Sequence, residues 1–145
     1  MSARVLIIDD NPDDVVTLER FLAKEATQIR GLSDSKQAER AFEEFEPDLV
    51  LLDLHMPDPD GFELLRRLRA RRSRLGFLPV IVLTGDTGKT ARDSALVLGA
   101  NDFLTKPLDR MEVLLRARNL LRTRQLYAEL ANAHETLQRR LGKGP

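Results

Sequence analysis

The chain has 145 residues, of which 42% are hydrophobic, and this is enough for one domain with a buried core. Its 23 basic and 23 acidic residues balance, so the global basic excess typical of nucleic-acid-binding proteins is absent. Cysteine is absent, which excludes disulfides, thiolate metal sites and cysteine nucleophiles. The N-terminal apolar run is too short for a signal peptide or a membrane span, so we expect a cytoplasmic protein whose partners are proteins or small ions.

Short apolar runs alternate with longer amphipathic segments along the chain. The runs at 5–8, 48–53, 78–83 and 102–105 predict strands, and a weaker strand is predicted near 27–32. The segments between them place apolar residues three and four apart, as at Val15, Leu18 and Leu22, and therefore predict helices. This alternation is typical of βα units around a buried parallel sheet. We predict an α/β fold of the (βα)5 type, a doubly wound, flavodoxin-like parallel sheet of five strands in the order 2-1-3-4-5 with an extended C-terminal helix.

Polar residues stand at the ends of four predicted strands. Asp9 and Asp10 follow the first strand, Asp53 ends the third, Thr84 follows the fourth and Lys106 follows the fifth. Because the carboxyl ends of parallel strands meet at one edge of a sheet, we expect one pocket. Three carboxylates crowded there predict a cation, for which Mg²⁺ is the favoured choice and calcium the lesser alternative. Read without Asp53, the acidic pair is equally well explained as a helix-capping turn.

The predicted pocket suits phosphoryl transfer to a carboxylate. An aspartate beside a cation can attack a phosphoryl donor and become an aspartyl phosphate. Lys106 adds a positive charge, Thr84 adds a hydroxyl, and Gly85 leaves the approach open. Each of these three is also common as a simple surface or turn residue, so the hypothesis depends on their being together.

Over about residues 4–121 the chain resembles the receiver domains of two-component response regulators. The matching motifs are Asp9-Asp10, Leu51-Leu52-Asp53-Leu54-His55-Met56-Pro57, Gly61, Thr84-Gly85, Gly99-Ala100-Asn101-Asp102-Phe103 and Lys106-Pro107. The resemblance implies that a sensor histidine kinase donates a phosphoryl group to Asp53. It implies that Asp10 and Asp53 ligate Mg²⁺ directly, that Asp9 helps through water, and that the backbone carbonyl of His55 completes the protein ligands.

The same resemblance assigns the switch that follows phosphorylation. Thr84 and Lys106 contact the phosphoryl group, and Phe103 matches the aromatic position that turns inward when the threonine moves. A phenylalanine lacks the hydroxyl often found there, and plain core packing is the alternative interpretation of Phe103. His55 and Asp86 lie two residues after Asp53 and Thr84, and we hypothesise that both affect the lifetime of the phosphoryl group. The alternative is that they are solvated loop residues.

The last predicted helix is longer than a sheet-packing helix needs to be. Its pattern runs from 108 to about 141, with no glycine or proline before Gly142. A seven-residue spacing predicts a coiled-coil seam formed by Leu120, Thr123, Tyr127, Leu130, His134, Leu137 and Leu141. We therefore predict a receiver domain at 1–121 and a helical extension at 122–145 that forms a homodimer. The open alternatives are a helix that folds back on its own domain and a linker toward an output domain.

These observations favour a signalling switch over an enzyme. We expect only self-catalysed phosphoryl acceptance and slow autodephosphorylation, with the changed surface controlling dimerisation or partner binding. A magnesium-dependent phosphohydrolase is the first alternative, although it needs a second carboxylate where this chain has His55. An interaction module that takes no phosphate is the second alternative, against which the intact acidic set argues.

Overall fold

The computed structural model describes residues 3–71, 76–85 and 89–142. The strands are β1 (Arg4–Ile8), β2 (Gln28–Leu32), β3 (Leu49–Asp53), β4 (Val80–Thr84) and β5 (Asp102–Thr105). The helices are α1 (Pro12–Leu22), α2 (Ala38–Phe45), α3 (Gly61–Ala70), α4 (Lys89–Val97) and α5 (Arg110–Gly142). All strand pairs are parallel and the order is β2-β1-β3-β4-β5, which confirms the predicted fold.

The sheet is covered on both faces, so its central strands are buried throughout. Every residue of β3 and β4 is buried, as continuous apolar runs predict. Helices α2, α3 and α4 pack on one face, while α1 and α5 pack on the other. Because helices cover both faces, the polar residues at the carboxyl ends of the strands lie together at the edge of the sheet.

Two helices begin directly after polar side chains that cap them. The side chain of Asn11 accepts a hydrogen bond from the backbone of Asp13 at the start of α1, and Asp60 caps α3 in the same way. Strand β4 begins two residues later than predicted, and the residue just before it is Pro79, which has no N–H to donate to a neighbouring strand.

Helix α5 is attached to its own domain beyond the predicted boundary at residue 121. Arg124 donates hydrogen bonds to the Asp48 carboxylate, at 3.1 Å, and to the carbonyl of Phe77. The ring of Tyr127 stacks on Phe77 with 4.7 Å between centroids. We call Asp48, Phe77, Arg124 and Tyr127 the basal latch, because their contacts lie beside the amino ends of β3 and β4. From residue 132 to the end of α5 every described side chain is exposed.

The long helix is amphipathic and carries many charges. Among the described residues, no helix has the length and the apolar character required to cross a membrane.

Candidate functional site

Asp53 is the last residue of β3, the central strand of the sheet. It is only 3% exposed, because β1 and β4 flank it. Its Oδ1 accepts a hydrogen bond from the backbone N–H of His55 at 3.1 Å. The carboxyl group is therefore held in one orientation at the carboxyl edge of the sheet.

The acidic pair meets Asp53 at this edge. Asp9 is fully buried, and its Oδ1 accepts a hydrogen bond from the backbone N–H of Asn11. Asp10 is exposed. One carboxylate oxygen from each of Asp9, Asp10 and Asp53 lies within 4.8 Å of the other two. The structure therefore brings together the three carboxylates that the sequence predicted to converge.

Lys106 lies at the centre of this acidic group. Its Nζ is 2.8 Å from Asp9 Oδ2, 2.9 Å from Asp14 Oδ2 and 3.5 Å from Asp53 Oδ2. Asp14 was missed in the sequence, although its place in the first turn of α1, four residues after Asp10, gave a signal. The first turn of a helix that follows β1 lies beside the carboxyl edge of the sheet, so an acidic residue there can reach the site.

The charges of the site oppose ionisation of Asp53. Burial raises the pKa of the Asp53 carboxyl, and the neighbouring Asp9 charge raises it further. The His55 N–H and the Lys106 ammonium offset this only in part, so the pKa is about 7 instead of 3.8. Burial alone would lower the pKa of Lys106, but its close contacts with the Asp9 and Asp14 carboxylates raise it above its ordinary value. Lys106 therefore stays charged at neutral pH.

The residues present fit a hard divalent cation. Among the described residues, Asp9 Oδ2 is one of two buried side-chain atoms without a hydrogen-bond partner. The Nζ of Lys106 lies 2.8 Å from this oxygen and balances its negative charge, but the two groups are not aligned for a hydrogen bond. The donors are all oxygens, which suits Mg²⁺, and a divalent charge would relieve the repulsion that raises the pKa of Asp53.

Thr84 and His55 border the site on its open side. Thr84 is the last residue of β4 and is 1% exposed, and its hydroxyl lies 3.3 Å from Nε2 of the exposed His55 ring. Gly85 follows on the surface, and among the described residues no atom lies within 4 Å of a Cβ built there. The other residue proposed to affect phosphate lifetime, Asp86, lies outside the described residues.

Phe103 lies on β5 between two arginines. The Arg92 guanidinium of α4 is 4.7 Å from the ring centroid, and that of Arg116 on α5 is 5.7 Å away. Arg116 is fixed by two hydrogen bonds to Asp102, at 2.8 and 2.9 Å. The half-buried ring therefore connects α4 to α5 through cation–π contacts, which the sequence did not indicate.

We expect Asp53→Asn to stabilise the metal-free protein by about 2 kcal/mol above pH 7. A rise in pKa from 3.8 to about 7 means that the wild-type folded state loses stability as the pH increases through this interval. At ~1.4 kcal/mol per pKa unit the upper limit is about 4 kcal/mol, which we halve because the carboxylates titrate together. Urea unfolding in EDTA should show the full difference at pH 8 and almost none below pH 4.

Asp93→Asn is the matched control, because Asp93 is exposed on α4. It should leave stability unchanged at both pH values. A destabilising effect of Asp53→Asn at pH 8 would contradict the repulsion inferred above.

Comparisons with known proteins agree on one family. The family model described as the response regulator receiver domain matches residues 5–118. The transcriptional regulatory protein GltR of Pseudomonas aeruginosa is 37% identical over 121 residues, which are 83% of this chain and 50% of GltR. The response regulator PleD of Caulobacter vibrioides is 36% identical over 142 residues, which are 98% of this chain and 31% of PleD. This chain thus spans half or less of the length of these two relatives.

A solved structure has a similar fold. The chemotaxis protein CheY4 of Vibrio cholerae is 25% identical, with a TM-score of 0.73, and the match covers 83% of this chain and 99% of that one. The part of this chain that matches is therefore similar to an entire chain of that structure.

Proposed function

Since the chain belongs to the family of response regulator receiver domains, we propose that a sensor histidine kinase transfers a phosphoryl group to the carboxylate of Asp53. The family consists of signalling receiver domains, not of enzymes in the ordinary sense. The observation that carries the proposal is the convergence of Asp9, Asp10 and Asp53 around Lys106 at the carboxyl edge of the sheet. The proposed location is cytoplasmic.

In the proposed reaction, one oxygen of the Asp53 carboxylate attacks phosphorus. The new O–P bond forms as the bond from phosphorus to the donor breaks, and the donor atom leaves with the electron pair. The carboxylates of Asp10 and Asp53 and the backbone carbonyl of His55 are the proposed direct ligands of Mg²⁺, with Asp9 acting through water, and the ion would supply positive charge for the phosphoryl oxygens. Lys106 supplies a second positive charge, and the Thr84 hydroxyl is a hydrogen-bond donor for a phosphoryl oxygen.

Lys106 must change partners in this proposal. Its Nζ contacts three carboxylates in the structure, two of them more closely than Asp53. A phosphoryl group on Asp53 provides a more highly charged acceptor on the same side. Thr84 would at the same time leave the His55 ring, and Phe103 would turn as the threonine moves.

The proposed response passes to the helical extension. In this proposal residues 1–121 are the receiver domain, and residues 122–145 form a homodimer whose strength depends on phosphorylation. The ring of Phe103 contacts arginines of both α4 and α5, so a change in its orientation would alter how these helices pack. Helix α5 then continues from this contact into the extension without interruption.

Intact mass measurement after incubation with acetyl phosphate and Mg²⁺ tests the proposed acceptor. We expect one added phosphoryl group on the wild type and on the control Asp93→Asn, and none on Asp53→Asn. Omitting Mg²⁺ should prevent the adduct. Repeated turnover of external phosphoesters would favour a phosphohydrolase instead, and the absence of any adduct would favour an interaction module.

His55→Ala should shorten the lifetime of the aspartyl phosphate by about fivefold, which corresponds to ~1 kcal/mol of activation free energy. The His55 ring contacts the Thr84 hydroxyl and lies on the exposed side of the site, where it obstructs water. Loss of the adduct is followed by intact mass after removal of acetyl phosphate. An unchanged rate would remove His55 from this role, and the same measurement on Asp86→Ala tests the second proposed modulator.

A further inference from the structure

The exposed half of α5 carries a leucine-rich stripe on the side away from its own domain. Leu126, Leu130 and Leu137 are 58%, 67% and 55% exposed. Ala133 completes a spacing of four, three and four residues, and we call these four residues the stripe. Exposed leucines at this spacing are typical of a helix that packs against another helix.

The domain itself fixes which side of α5 remains available. Val113 and Ala117 are buried against the sheet, Leu120 is half-buried there, and Arg124 and Tyr127 belong to the basal latch. At ~100° per residue, the stripe lies roughly 140° around the helix from these contacts. A helix can therefore pack on the stripe without displacing these contacts.

We propose that a second copy of this chain packs on the stripe as a parallel two-stranded coiled coil; this rests on the dimer included in the proposed function and assigns its seam. Thr123, Leu130 and Leu137 take the first core position of each heptad, and Leu126, Ala133 and Arg140 take the second. The seam is rotated by roughly 60° from the one that the heptad spacing predicts, because Leu120 and Tyr127 already contact their own domain.

Charge favours a second copy of this chain as the occupant. Between residues 125 and 138 the acidic side chains are Glu129 and Glu135, and the one basic side chain is His134. Glu135 lies away from the stripe and pairs with Arg139 of its own helix at 3.0 Å. The stripe and its borders therefore carry few charges, and the like charges that face each other within the seam are confined to Arg140 at its end.

The remaining charge at the border favours the parallel orientation. In a parallel coiled coil, a residue that precedes a core position faces the residue five positions further along in the other helix. This rule places Glu129 beside His134 of the second copy, and the symmetry gives the contact twice. The receiver domains then lie on the outer sides of the coiled coil, because the latch and the stripe face in different directions.

Single cysteines test the seam directly, because the natural chain has none. In the full-length protein, Ala133→Cys and Arg140→Cys should form disulfide-linked dimers rapidly under mild oxidation. Glu135→Cys, on the outer side of the helix, should form them at least tenfold more slowly. All three positions are on the exposed part of α5, so the substitutions leave the receiver domain folded.

The pattern of cross-links separates the possible results. Dimers through Ala133→Cys but not Arg140→Cys would overturn the parallel orientation. Dimers through His134→Cys and Leu141→Cys, with none through Ala133→Cys, would overturn the rotated seam in favour of the one that the heptad spacing predicts. A monomer by light scattering, with and without acetyl phosphate, would overturn the dimer. Intact mass of the same samples reports phosphorylation of Asp53 separately, so the acceptor can be confirmed when the seam is wrong.

Discussion

Lys106→Met is expected to lower the free energy of unfolding by about 3 kcal/mol at pH 8 in EDTA, the lower end of the range for removing one partner of a buried ion pair. The Asp9 carboxylate is fully buried and Asp53 is 3% exposed, so without the ammonium they face each other with little water to screen them. Lys106 is itself 21% exposed, and this is why we expect the lower end of the range. Urea unfolding measures the difference.

Two conditions should reduce the loss of stability in Lys106→Met, and they identify repulsion between the buried carboxylates as its cause. Below pH 6 it should fall, because a carboxyl group whose pKa is about 7 takes up a proton and the repulsion disappears. Saturating Mg²⁺ should also reduce it, since bound cations stabilise the state that binds them. Lys24→Met is the matched control, because Lys24 is exposed at the end of α1. If the two variants lose equal stability, Lys106 does not compensate the buried acids.

The same variant separates stability from function. At a temperature where Lys106→Met is fully folded, its yield of aspartyl phosphate from acetyl phosphate should fall about tenfold, equivalent to ~1.4 kcal/mol of lost stabilisation of the phosphoryl group. An unchanged yield would mean that Lys106 is a structural counter-ion only.

The site could be predicted because its residues stand at strand ends. A parallel sheet gathers the carboxyl ends of its strands, so Asp9, Asp53 and Lys106 meet once the strand order is known. The role of Asp14 could not be predicted in this way, because its 2.9 Å contact depends on how α1 lies over the sheet. Phe103 shows the same limit. The sequence places it on β5, but only the packing of α4 and α5 places two guanidinium groups against its ring.

The sequence repeat alone could not predict which side of the long helix packs on its own domain. A seven-residue repeat indicates which side chains share a face, but not which neighbour covers them. Leu120 and Tyr127 fit the repeat, yet they contact the domain to which they are joined. The sequence did place the two residues that α5 contacts. Asp48 begins the apolar run that forms β3, and Phe77 directly precedes the run that forms β4. Both assignments of the seam share Leu130 and Leu137, so substitutions there do not distinguish them.

Gly61→Ala is expected to destabilise the protein by about 3 kcal/mol, the upper end of the usual range for overpacking. A Cβ at this position would lie 2.1 Å from the carbonyl oxygen of Asp53 and 2.5 Å from the Cα of Leu54. Both obstacles are backbone atoms, so no change of side-chain rotamer relieves them. The N–H of Gly61 also donates a hydrogen bond to the carbonyl of Leu54 at 3.1 Å, which holds α3 against the end of β3.

The displaced backbone carries the proposed phosphoacceptor, so Gly61→Ala should reduce phosphorylation as well as stability. Separating α3 from β3 by even a few tenths of an ångström moves Asp53 relative to Asp9 and Lys106, on which its reactivity depends. The matched control is Gly142→Ala, because a Cβ there meets no atom of the described residues within 4 Å. It should leave both the urea midpoint and the yield of aspartyl phosphate unchanged. A Gly61→Ala variant with wild-type stability would show that β3 and α3 can separate freely, and the contact between them could then not be what positions Asp53.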